Sequence, residues 1–356
     1  MNQSAHTIAA AQLPIYIIGA GGIVHAAHLP AYQLAGYRVQ GIVDLVPENA
    51  FRTAEKFNIP EVFADVSTML QQLPANAIID LAVPASAMIS ILEQLPMECN
   101  VLLQKPMGET LEDAKRMLQI AREKKLVAAV NFQLRYAEFI VEAQKMIETG
   151  VLGTINHIEI NVNVYTPWHL WDFLLTAPRV EILYHSIHYI DLIRHLLGNP
   201  YKMYAKTTKH PAMAQMASVQ SNIIMDYGDL ISANILTNHS HHYGRKHQQS
   251  YIKIEGTKGA VMIHFGALIN YPVGEADTFE YVLLEEDQPP VWKEKKLEKT
   301  WFPHAFMGSM EQMMLAALGK IDYPNNTVED AIYTMACVEA AYESSNSGGE
   351  QLDTLF

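Results

Sequence analysis

Short apolar runs alternate with stretches of helical period through the first 130 residues. PIYIIG, YRVQGIVD ending at Asp44, AIIDLAVP (77–84), NVLLQKP (100–106) and LVAAVNF (126–132) have the length and β-branched content of strands. Between them, ENAFRTAEKF, SAMISILEQL and TLEDAKRMLQIAREKK carry the helical spacing. Strands that are apolar almost throughout, separated by helices, predict a parallel sheet covered on both faces. Residues 1–130 therefore read as a doubly wound α/β domain.

Past residue 131 the period shortens to two. TINHIEINVNVY, ASVQSNIIMDYG, LISANILTNHS and QSYIKIEGTKGAVMIHF alternate apolar and polar positions, as strands with one buried face do. Residues 131–356 are expected to form an α+β domain with a large, open, mainly antiparallel sheet.

Composition narrows the function more than the fold. Hydrophobic residues at 49% and charged residues at 18% describe a globular chain, and 356 residues suffice for two cores. A formal net charge of −13 opposes a nucleic-acid or anionic-membrane surface, which needs a basic field. A small-molecule substrate is the better expectation. Cys99 and Cys337 lie far apart and outside any CxxC pattern, which fits a reducing cytoplasm. MNQSAHTIAAAQ lacks the basic region of a signal peptide, so no export or membrane anchoring is expected.

Gly19, Gly21 and Gly22 follow the first strand and open a helix. Glycine there permits a tight turn and lets a pyrophosphate approach the backbone at a helix N-terminus. The third glycine of GxGxxG is replaced by Val24. Asp44 closes the second strand, where a carboxylate accepts both ribose hydroxyls and repels a 2′-phosphate. No basic residue follows before Arg52, so NAD is expected over NADP.

IGAGGIVHAAHLPAY, AVP (82–84), NVLLQKPMGETLEDAKRML, GTKG (256–259) and SIHYIDLIRHLLG together resemble the Gfo/Idh/MocA family of NAD(P)-dependent oxidoreductases, whose members act mostly on sugars, cyclitols and related polyols. The resemblance implies a Rossmann domain that binds NAD, followed by a substrate-binding and oligomerisation domain. A homodimer or homotetramer joined through the open sheet is expected, with substrate between the nicotinamide and that sheet. Lys105 and His188 match the family's catalytic lysine and histidine. Ile23, Val83, Pro84, Gln104 and Lys105 would complete the dinucleotide lining, and Arg135 matches a position near the substrate cleft. Three departures stand out: Gln104 where the family has glutamate, Tyr184 where many members have aspartate, and Met88 where histidine is frequent.

Alcohol oxidation needs a base for the hydroxyl proton and a cation for the developing charge, which a histidine and a lysine supply. Lys105 lies between an apolar strand and Pro106, where desolvation should lower its pKa. Read as one regular helix, 181–195 places Glu181, Tyr184, His185, His188, Leu192 and His195 on a single face. That face should open on a cleft, with Tyr184 or His185 assisting His188 and with Glu181 and Asp191 near substrate. YTPWHLWDF (165–173) adds Trp168, His169 and Asp172 as substrate contacts, though Trp168 and Trp171 suit a core equally well. Glu181, His185 and His188 could also converge on a metal, but their spacing is not HExxH and no metal is expected. NHSHHYGRKH (238–247) reads as a solvated strand end or loop. Two other functions remain open: an NAD-using glycoside hydrolase working by oxidation and elimination, and a non-enzymatic NAD-binding ligand sensor.

Overall fold

A computed structural model of the protein describes residues 13–349. The chain divides into two compact units, Met1–Ala137 with Phe302–Met335, and Glu138–Trp301 with Ala336–Phe356.

In the first unit β1 (Pro14–Ile18), β2 (Arg38–Val43), β3 (Glu61–Val62), β4 (Ile78–Leu81), β5 (Asn100–Leu103) and β6 (Val127–Val130) form one parallel sheet. They are joined by α1 (Leu29–Ala35), α2 (Pro47–Phe57), α3 (Val66–Gln71), α4 (Ala85–Leu92) and α5 (Leu111–Glu123). Residues of β1, β4 and β5 are buried along their whole length, as the apolar runs require. The order β3-β2-β1-β4-β5-β6 is that of a doubly wound Rossmann sheet. It reverses between β1 and β4, so a crevice opens at the carboxyl ends of those strands.

The second unit contains α6 (Glu138–Glu148), β7 (Ile155–Asn163), α7 (Asp172–Thr176), α8 (Ile187–Leu197) and the strands β8 (Lys202–Thr208), β9 (Gln220–Asp226), β10 (Ser232–Asn238), β11 (Gln249–Gly256), β12 (Gly259–His264), β13 (Thr278–Leu283) and β14 (Lys293–Lys295). Its eight-stranded sheet runs β14-β13-β12-β11-β7-β10-β9-β8. Neighbours are antiparallel except β7 beside β10. Alternation decides which face is covered: in β9, Ser221, Ile223 and Met225 are buried while Asn222 and Ile224 are exposed. Tyr204, paired with Ile224, and Leu236 extend this apolar exposed face.

Two helices follow, α9 (Ala305–Ala317) and α10 (Val328–Ser347). Phe306, Met310, Met313 and Met314 of α9 join Ile15, Leu29, Tyr32 and Ile78 in the core of the first unit. Residues read as part of one C-terminal stretch thus complete the N-terminal sheet's packing.

Candidate active site

The glycine turn of the first unit is fixed by sterics. Gly19 has φ +108°, and a Cβ there would lie 2.3 Å from the carbonyl oxygen of Ala82. A side chain added at Gly21 or Gly22 would meet nothing within 4 Å, so their backbone stands open to a ligand. The chain then enters α1 through a π-turn, Val24–His28. Asp44 is tied to the same turn: its Oδ2 accepts from the Ala20 N–H at 2.7 Å and its Oδ1 from the Val46 N–H at 2.8 Å. Each carboxylate oxygen has two lone pairs, so capacity for a diol remains. These residues fit a dinucleotide.

Val83 and the exposed Pro84 follow β4, Pro84 directly preceding α4, while Ile23 packs partly into the core. Lys105 follows β5 at the same edge of the sheet, and burial pulls its ammonium down to about 8, as the flanking apolar strand predicts. Gln104, nearly buried, turns its amide inward and not toward the crevice. Behind it lie His28, Asp80 and Tyr32, a buried polar group not anticipated from the sequence. One signal was available: Asp80 sits mid-strand in AIIDLAVP, where both faces are covered and a carboxylate needs a partner.

Arg135 is also buried. Its guanidinium donates to the Asn325 carbonyl at 2.7 Å and to Asp330 Oδ2 at 2.5 Å. It clamps the returning segment 302–335, which supplies the partners that sequence spacing could not reveal.

In the second unit the expected regular helix at 181–195 begins instead as a π-turn, Ile182–Ser186, and becomes α-helical at Ile187. The wider turn redistributes the polar face. Glu181 is fully buried against the sheet, where Ser186 Oγ donates to its Oε1 at 2.7 Å and His239 Nε2 lies 3.6 Å from the same oxygen. Burial opposes ionisation of Glu181, but the nearby His239 ring and the hydroxyls of Ser221 and Ser186 hold it below the usual carboxylate range. Asp191 and Leu192 are buried as well.

Tyr184 points at Phe173 and packs on the apolar cluster of Trp168, Leu174, Val180, Met216 and Val219. The His185 ring lies 4.4 Å from that of His239 and 5.1 Å from Trp168. His188, partly exposed, stands edge-on to Trp301 at 6.2 Å. Trp168 is therefore a core residue, and His169 and Asp172 are exposed. His239, read as part of a solvated stretch, is instead buried, with Nδ1 at 2.9 Å from Thr166 Oγ1. Among the described residues, no group of three His, Cys, Asp or Glu side chains could hold a metal ion.

Residues 13–132 match the model of an oxidoreductase family's NAD-binding Rossmann fold, and residues 144–352 that of an oxidoreductase family's C-terminal alpha/beta domain. An oxidoreductase of Salmonella typhimurium, YceM, is 31% identical over 141 residues, covering 39% of this chain and 44% of that protein. The inositol 2-dehydrogenase/D-chiro-inositol 3-dehydrogenase of Lacticaseibacillus casei is 26% identical over 189 residues, 51% of this chain and 52% of that one. These matches span about half the length of the curated relatives. The fold is shared with an oxidoreductase of Agrobacterium radiobacter solved with NAD+, L-tartaric acid and magnesium, at TM-score 0.77 and 18% identity over 97% of this chain and 100% of that one.

Proposed function

This chain belongs to the Gfo/Idh/MocA oxidoreductase family, and from that premise we propose that it is an NAD-dependent dehydrogenase or reductase acting on a secondary hydroxyl or keto group of a sugar, cyclitol or related polyol. The observation that carries the reading is the gathering of Gly19, Gly21, Gly22, Asp44 and Lys105 at the carboxyl ends of β1, β2 and β5. That is where a doubly wound sheet takes its dinucleotide. The bound dinucleotide would accept or return a hydride. Asp44 would hold the adenosine ribose and disfavour a 2′-phosphate, which selects NAD over NADP. The similarity to an inositol dehydrogenase supports the polyol class.

Lys105 would orient the substrate oxygen and offset its developing negative charge, and His188 would exchange the hydroxyl proton. Tyr184 and His185, both within the π-turn, would shape the surroundings of His188 and not act as its neighbours along a regular helix. The exposed face bearing Tyr204, Ile224 and Leu236 would join subunits.

A screen of inositols, sugars and uronates with NAD and NADP, following absorbance of the reduced nicotinamide, tests the assignment. Turnover should favour NAD, fall by at least about 100-fold in His188→Ala, and shift toward NADP tolerance in Asp44→Ala. NAD binding with no turnover on any polyol would indicate a sensor instead. Sugar release without net reduction would indicate the oxidation and elimination route.

A further inference from the structure

Asp80, His28, Gln104 and the backbone of Lys105 form a hydrogen-bond chain whose polarity can be read from one end. The Lys105 N–H donates to Gln104 Oε1 at 2.9 Å. A backbone N–H can only donate, so the Gln104 amide cannot be flipped, and its Nε2 faces His28 Nε2 at 3.4 Å. An amide nitrogen is a donor, so His28 Nε2 must be the bare, accepting nitrogen. Asn131 Nδ2 approaches the same atom at 3.4 Å. The ring proton therefore resides on Nδ1, which donates to Asp80 Oδ2 at 2.7 Å, and Tyr32 donates to that oxygen at 2.8 Å. His28 and Asp80 are wholly buried. The groups around the ring are Asp80 on β4, Tyr32 on α1, Gln104 beyond β5, Asn131 beyond β6 and Phe306 on α9, of which only Asp80 and Tyr32 titrate.

We propose that Gln104 is a positioning residue for Lys105, its amide oriented by a neutral, Nδ1-protonated His28 that Asp80 fixes from the other side. The inference rests on the role proposed for Lys105. It also accounts for glutamine at this place. His28 already has one carboxylate partner; a glutamate at 104 would oppose a second carboxylate to Nε2 and force the ring to carry two protons. Glutamine satisfies the Lys105 N–H and the histidine with no added charge beside the lysine.

The test uses the full-length chain, with 15N long-range NMR of the histidine rings and steady-state kinetics on the substrate found by the screen. In the wild type the bare nitrogen of His28 should be Nε2. In Gln104→Glu both nitrogens should be protonated. In the double variant Gln104→Glu/Asp80→Asn the single carboxylate has changed sides, so the bare nitrogen should become Nδ1; Tyr32, whose hydroxyl accepts as well as donates, can follow. Gln104→Met should lower kcat by about 10- to 100-fold while the Kd for NAD stays within about twofold, as a misplaced lysine would require. A wild-type His28 bare at Nδ1 or doubly protonated overturns the proposal, and this needs no variant to fold. An unchanged kcat in Gln104→Met overturns it while leaving Lys105 in place. Failure of the Lys105 role would show separately, as full turnover in Lys105→Met.

Discussion

Lys105 carries the clearest consequence of burial on a single group. Its ammonium titrates near 8 in the folded chain, against the usual 10.5. Between those values the unfolded chain binds the extra proton, so the lysine's contribution to stability rises with pH across the window from about 8 to 10.5. Lys105→Met should flatten that slope in a plot of Tm against pH. Activity runs the other way, because the proposed role needs the cation: kcat/KM should fall above pH about 8. Lys105→Arg should move that limb upward, and an unmoved limb would assign it to another group. Arg135 gives a second test. As a clamp on Asn325 and Asp330, its replacement by methionine should cost about 2–3 kcal/mol in urea unfolding, whereas a substrate contact would raise KM at unchanged stability. The glycine turn could be read from the sequence because local geometry determines it, and the burial of Lys105 because an apolar strand leads into it, whereas the role proposed for Lys105 comes from the family resemblance. The partners of Arg135 and Asp80 could not, since they lie 195 and 52 positions away along the chain.

At the scale of elements, periodicity located most of the strands, left α3, α7, α9 and α10 unmarked, and misread one helix start. A wheel drawn at 3.6 residues per turn cannot register a π-turn, and Ile182–Ser186 is one. The difference moves Glu181 from an expected open face to the junction between helix and sheet, where it meets His239 and Ser186. Because the folded pKa of Glu181 is lowered, its contribution is present above the usual carboxylate value and is lost as pH falls through the folded one. Glu181→Gln should destabilise the protein by about 1–3 kcal/mol at neutral pH and lessen its acid sensitivity. Equal acid midpoints for the variant and the wild type would refute the lowered Glu181 pKa. The strands of the second sheet were easier to recognise, since an alternation of period two and a single covered face are the same fact seen twice.

For the whole molecule, family, fold class and dinucleotide domain follow from sequence and structure together, and the assembly is open to direct measurement. Ile224 is 54% exposed in the middle of β9, with Tyr204 opposite it. An apolar patch on an open sheet is commonly covered by another subunit. If this face joins subunits as proposed, Ile224→Glu should reduce the mass seen by sedimentation to that of one chain with secondary structure intact; an unchanged mass would refute that role of the face. A different consequence follows from α9, which lies in the core of the first unit although the whole stretch Glu138–Trp301 precedes it in the chain. On a ribosome, domains ordinarily close in the order in which they emerge. Here the dinucleotide unit begins first and cannot close until Phe306, Met310, Met313 and Met314 arrive, so the first part to be synthesised is among the last to be finished.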